Sequence, residues 1–126
     1  MKLRIKGNSI RIRLSQSEVN QFGENEICFD KVSFGLNELT YQLHMADVDE
    51  VTTDFENNTI SVAVPYALAQ QWVNTNTMVG FNHKQTYANN KELLILVEKD
   101  FQCLATRPNE DESDNFPNPS AGELKC

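Results

Sequence analysis

Four carboxylates, Glu110, Asp111, Glu112 and Asp114, crowd into the stretch EDESDNFPNP, ahead of Phe116 and its flanking Pro117 and Pro119. Clustered oxygen ligands suit a hard cation. A helix-flanked calcium loop, however, wants ligands at alternate positions, a glycine at the sixth and a glutamate at the twelfth. Counted from Asp111, the sixth position is Phe116, Glu123 arrives one place late, and the two prolines forbid a flanking helix. No metal site is expected there. The stretch reads instead as part of an acidic, proline-containing C-terminal tail, residues 105–126, after a β-rich globular domain of residues 1–104. Prolines lower the entropy lost on ordering an extended segment, and Phe116 brings an apolar group worth about 2 to 3 kcal/mol if fully buried. Phe116, Pro117 and Pro119 are therefore the expected docking residues of that tail.

The other reactive side chains are dispersed. Cys28, Cys103 and Cys126 form no C-x-x-C pair, so they read as reduced thiols rather than a disulfide framework or zinc knuckle. A cysteine with His44 or His83 would make a nucleophile and base or two metal ligands only if the fold brought them together, and their spacing does not predict that. Glu98-Lys99-Asp100 reads as the wet end of a strand rather than an acid–base pair. Nucleophile elbow, phosphate loop, zinc-protease and dinucleotide motifs are all absent from the sequence. The reading is no catalytic residue, no metal and no cofactor.

Charge carries more information. The 126 residues have a net charge of −7, yet every charge in the first fourteen residues is positive: Lys2, Arg4, Lys6, Arg11 and Arg13. All eighteen carboxylates follow. An acidic body with one basic end has a surface that can select an anionic partner, although basic residues on an edge strand also discourage sheet-to-sheet aggregation. No apolar run approaches the roughly 18 residues of a membrane span, and no apolar signal segment follows Met1, so the expected location is the cytosol, without membrane attachment.

The elements that must position these residues show a dominant period of two. Leu3 and Ile5 alternate with basic residues, as do Ile10, Ile12 and Leu14, but the parity shifts at Gly7-Asn8, which fits either a tight turn or a bulge. Ser15 and Glu18 form a capping box for a short helix that Gly23 is expected to end, with Val19 and Phe22 packed on the sheet. Ile27 and Phe29, then Val32 and Phe34, suggest strands with a second parity slip near Lys31. In LTYQLHM, Leu39, Tyr41, Leu43 and Met45 face one way, with His44 toward water. Val51, Thr53 and Phe55 lead through Asn57-Asn58 into Ile60, Val62 and Val64, a hairpin. Pro65 opens a second short helix carrying Leu68 and Trp72. Alternation through Val79, Phe81, His83, Gln85 and Tyr87 leads to Leu93–Val97, whose unbroken apolar run predicts a central strand buried on both faces. The expected fold is α+β: about eight short strands in a mostly antiparallel curled sheet or partly open barrel, with two short helices and no internal repeat.

Two resemblances add to this reading. KLRIKGNSIRIRLSQSEVNQF, WVNTNTMVGF and LVEKDFQCLATRPNEDESDNFPNP together resemble a group of small bacterial proteins of unknown function, over essentially the whole chain. The likeness implies a stand-alone cytosolic domain without assigned activity, with the acidic Phe-Pro-Asn-Pro end as part of its pattern. Locally, IKGNSIRIRLSQSEVNQFGENEICF is similar to swapped-hairpin DNA-binding domains of the AbrB and MazE type. Lys6, Gly7, Asn8, Ser9, Arg11 and Arg13 carry the match, and LSQS replaces the usual Ile-Pro step. That likeness implies Lys6, Arg11 and Arg13 as nucleic-acid contacts.

A noncatalytic binding or interaction module leads, since the sequence has an ordinary core and no reaction constellation. Its partner would be a protein or a second copy in a homodimer. The alternative is a DNA-binding protein using the basic strand, and an enzyme with a dispersed site comes third.

Overall fold

The computed structural model describes residues 1–101, 114, 116 and 117. Its elements run β1 (Lys2–Lys6), β2 (Ser9–Leu14), α1 (Gln16–Asn25), β3 (Ile27–Ser33), β4 (Glu38–Ala46), β5 (Thr52–Glu56), β6 (Thr59–Pro65), α2 (Tyr66–Asn74), β7 (Gly80–Thr86) and β8 (Glu92–Lys99). They make two four-stranded sheets: sheet A in the order β1-β2-β8-β7 and sheet B in the order β3-β4-β6-β5. The expected α+β class and strand number hold. Neither sheet is closed into a barrel, and each is mixed, with antiparallel hairpins at its sides joined by a parallel central pair, β2 with β8 or β4 with β6.

That arrangement reveals an internal repeat, which the sequence reading did not expect. Hairpin, helix, hairpin occurs twice, and each half pairs its second hairpin with the other half's first. The register of β1 and β2, Lys2↔Arg13 through Lys6↔Ser9, recurs 50 residues later as Thr52↔Ala63 through Glu56↔Thr59. Hydrogen bonds repeat as well. Leu94 N–H donates to Asn8 O at 3.1 Å where Thr40 N–H donates to Asn58 O at 2.9 Å, and Lys99 N–H to Val79 O at 2.8 Å where Met45 N–H donates to Glu26 O at 2.9 Å. The repeat was illegible because its two copies share apolar parity but few residue identities.

The core lies between the inner faces and the helices. Ile10, Ile12, Leu14, Ile95 and Val97 from sheet A and Tyr41, Leu43, Val62 and Val64 from sheet B belong to one buried cluster. The helices meet through their equivalent aromatics, Phe22 and Trp72, in an edge-on contact at 6.1 Å. Trp72 also meets Phe81 at 5.5 Å and donates its indole N–H to Val79 O at 3.1 Å, so its one polar group is satisfied.

Local chemistry explains most boundaries. Ser15 caps α1 with the full capping box, Ser15 N–H donating back to Glu18 at 2.8 Å. Gly23 does not end this helix. It lies inside it, and a Cβ there would sit 2.8 Å from Val73 Cγ1, so the glycine permits close approach of α2. Glu26, in a left-handed conformation, is the terminator. Pro65 is the N-cap of α2 rather than its first helical residue. Gly7-Asn8 forms a hairpin turn, since Lys6 pairs directly with Ser9. Strand β3 runs without the expected slip: its register is continuous from Ile27↔His44 to Ser33↔Glu38. Phe29 and Val32 consequently face opposite sides, both exposed.

Candidate functional site

Alternation in β1 and β2 turns Leu3, Ile5, Ile10 and Ile12 toward the inner face, where Ile5 at the end of β1 stays exposed, and leaves Lys2, Arg4, Lys6, Arg11 and Arg13 on the outer face of sheet A. Antiparallel pairing sets Arg4 opposite Arg11 and Lys2 opposite Arg13. Like charges directly opposite one another are destabilising, by roughly 0.2–1 kcal/mol per pair. Partial relief comes from two carboxylates at the end of β8. Glu98 lies 3.0 Å from Arg11 Nε and 3.9 Å from Arg13 Nε, and Asp100 lies 2.8 Å from Lys2 Nζ. Arg4 and Lys6 have no acidic partner among the described residues.

The predicted contact residues Lys6, Arg11 and Arg13 are therefore on one face, and the structure adds neighbours that the sequence reading missed. Strand β8 is interior to its sheet, as expected, but buried on one side only: Ile95 and Val97 are enclosed, whereas Leu94 is 37% exposed and Leu96 is half-buried. The parallel register sets Ser9 beside Leu94 and Arg11 beside Leu96. Arg4, Lys6, Ser9, Arg11, Leu94 and Leu96 line a shallow cleft of about 240 Å³. Cations around two leucines can receive an anionic group attached to an apolar one. An unbroken apolar run hides this, because period alone does not tell a two-sided buried strand from one whose outer face is itself a contact surface.

The described residues of the acidic segment lie elsewhere. Asp114 O accepts from Gln16 N–H at 3.0 Å, and its carboxylate accepts from the Ser17 hydroxyl and from Ser17 N–H at 3.2 Å, at the start of α1. These bonds, the Ser17 hydroxyl first and then Ser15, hold its carboxyl below the usual range. Phe116 N–H donates to Asp100 O at 2.8 Å, and its ring stands 5.5 Å from that of Phe101. Phe116 and Pro117, with Val19 and Val73, help line a cavity of about 460 Å³ beside the two helices. Pro119, Cys103, Cys126 and the carboxylates Glu110, Asp111 and Glu112 lie outside the described residues.

Beneath Phe116 is Lys99, 3% exposed, at the position that Met45 occupies in the other half. Its ammonium donates to Thr75 O at 2.7 Å and lies 5.9 Å from the Trp72 ring and 5.5 Å from that of Phe116. Burial lowers its pKa. The Glu98-Lys99-Asp100 triplet is thus split by strand parity: the carboxylates meet the basic face while the lysine points into the core.

No nucleophile–base pair forms from the cysteine and histidines described. Cys28 is buried on the inner side of β3, its thiol pKa raised mainly by burial, whereas His44 is on the outer side of β4. His83, on β7 in sheet A, lies 3.6 Å from Glu50. Among the described residues no group of three or more His, Cys, Asp or Glu side chains is placed to hold a metal ion, and no helix is long and apolar enough to cross a membrane.

Fold and site together define a duplicated hairpin–helix–hairpin α+β domain with a cationic outer face. The chain belongs to the family of unknown function DUF7009, whose model matches residues 1–120. No curated protein and no solved structure matches it.

Proposed function

We propose that this chain is a noncatalytic binding module of the cytosol, that the outer face of sheet A is its contact surface, and that its partner is an acidic protein segment. One observation carries the reading. Lys2, Arg4, Lys6, Arg11 and Arg13 share one face with like charges opposed, while the equivalent positions of the other half hold Thr52, Asp54, Glu56, Ser61 and Ala63. The fold is therefore built without cations at these positions, and their mutual repulsion needs a reason outside the fold. Leu94 and Leu96 in the same cleft favour a partner with apolar as well as acidic groups, as an amphipathic segment has.

Nucleic acid is the second reading, favoured by the reciprocal exchange of hairpins, the arrangement that the swapped-hairpin likeness implies. The overall charge of −7 and Glu98 amid the arginines weigh against a duplex. Fluorescence anisotropy separates the two, using a labelled peptide of alternating Glu and Leu and a labelled DNA duplex at rising salt. The expected result is salt-sensitive peptide binding that Arg4→Glu with Lys6→Glu abolishes. Tighter binding to the duplex would make the second reading the right one, and failure to bind either probe would overturn both.

The segment around Phe116 enters this reading as a docked part of the domain, supported by the Asp114 bonds to α1 and the Phe116 contacts. Removal of residues 106–126 should lower the melting temperature.

A further inference from the structure

Equivalent strands of the two halves carry opposite charge. Offset by 50, Arg4 corresponds to Asp54 and Lys6 to Glu56, and all four side chains are exposed. Asp54 and Glu56, like Arg4 and Lys6, have no ion-pair partner among the described residues. Both strands are sheet edges: β1 ends sheet A and β5 ends sheet B. Each also exposes one large apolar side chain at the equivalent position, Ile5 at 60% and Phe55 at 68%. A cationic strand with an uncovered isoleucine and an anionic strand with an uncovered phenylalanine therefore complement one another. They belong to different sheets, each paired along its other side with its own hairpin partner, and do not pair within the chain.

We propose that the β5 edge of a second copy of this chain is a partner of the β1 edge, with Arg4 and Lys6 facing Asp54 and Glu56 and Ile5 packing near Phe55. This deepens the proposed function and rests on its reading of the basic strand as a contact surface. The occupant follows from the charges: the acidic strand is already built to the same length and alternation as the basic one. Because the two surfaces differ, the contact is heterologous. A pair of copies keeps one free strand of each kind, β5 on one and β1 on the other, and association is open-ended unless the rotation closes a ring. Exposed ion pairs are screened by salt, so association is strongest at low ionic strength.

Sedimentation velocity on the full chain tests this across concentration at low and high salt, with circular dichroism to show that each variant is folded. The wild type should grow with concentration at low salt and return to monomer at high salt. Arg4→Glu with Lys6→Glu should be monomeric, and so should Asp54→Lys with Glu56→Lys. In an equimolar mixture of the two variants both the unaltered strands and the charge-reversed strands are complementary, so association should be restored, with the two variants alternating. A wild type that stays monomeric at low salt, or a mixture that stays monomeric, would overturn the proposal. So would variants that associate like the wild type. The acidic Glu-Leu peptide keeps the two readings apart. Asp54→Asn with Glu56→Gln, which adds no cation to β5, should weaken self-association yet bind the peptide with wild-type affinity, whereas a monomeric wild type that binds the peptide refutes only the self-association.

Discussion

The two halves of the molecule solve one folding problem with different side chains. Their inward positions are conservative: Ile10, Ile12 and Leu14 in the first hairpin correspond to Ile60, Val62 and Val64 in the second. Their outward positions diverge, to opposite charge at Arg4/Asp54 and Lys6/Glu56 and to neutral residues at the equivalents of Lys2, Arg11 and Arg13. Core geometry requires period and volume at the inner face, and a strand's wet face is free to vary for other reasons. Where the halves differ on the inside, close packing is the cause, and those differences can be tested by exchanging one half's residue for the other's.

The largest effect is expected at Gly80, the equivalent of Ile27, which holds a full side chain in the first half. At Gly80 a Cβ would stand 2.2 Å from Val97 O and 3.0 Å from Glu98 Cα, backbone atoms that a rotamer change cannot move. Gly80→Ala should therefore force β7 away from β8 and cost about 3 kcal/mol or more, seen as a lower urea midpoint. An alanine tolerated within 0.5 kcal/mol would show that β7 need not lie so close.

Gly23 faces its own equivalent, Val73, across the helix contact. Alanine there gains about 1 kcal/mol of helix propensity but meets Val73 Cγ1 at 2.8 Å. We expect Gly23→Ala to destabilise the wild type by about 1 kcal/mol and to stabilise a Val73→Ala background, a change of sign readable in a double-mutant cycle. Additive effects would mean that the two residues do not share the contact.

These two glycines mark the limit of what was legible in the sequence. Alternation located the strands, and Ser15 with Glu18 located the start of α1, because those signals are local. The turn at Asn57-Asn58 was equally readable, since both residues adopt positive φ. Gly23 was misread as a helix end because its reason for being glycine is Val73, fifty residues away. Leu94 and Leu96 were read as buried because a run of five apolar residues carries no parity. The parallel centres of both sheets, and with them the repeat, depend on pairing between halves that leaves no local trace. The basic face was readable as composition, but its placement beside Leu94, Leu96 and Glu98 was not.

Lys99 against Met45 is the next comparison. Burial lowers the lysine's pKa from its ordinary 10.5, so between the folded value and 10.5 the unfolded chain binds more protons and stability rises with pH. The charged form thus costs stability at neutral pH, offset in part by the bond to Thr75 O and the two rings. Lys99→Met should stabilise the fold by about 1 kcal/mol at pH 7, with the gain shrinking as the pH approaches 10.5. Thermal melts of both proteins across that range would show it. A destabilised variant with a flat pH difference would mean that the hydrogen bond and ring contacts outweigh desolvation.

The smallest change in stability, and the most informative, is expected from giving β1 the charge of β5. Arg4 stands directly opposite Arg11, whereas its equivalent Asp54 stands opposite Ser61. Arg4→Asp replaces a repulsive cross-strand pair with an attractive one at an exposed site, so the fold should gain at most about 1 kcal/mol, less at high salt. The same substitution removes one of the two cations without an acidic partner, and binding of the acidic Glu-Leu peptide should weaken together with self-association. Opposite signs for stability and binding would locate the reason for the arginine outside the fold. Arg4 would be held there for a partner, at a cost that the second half of the molecule does not bear. If Arg4→Asp instead lowers the melting temperature and leaves peptide binding intact, the basic strand is part of what holds sheet A together, and the contact surface must be sought on another face.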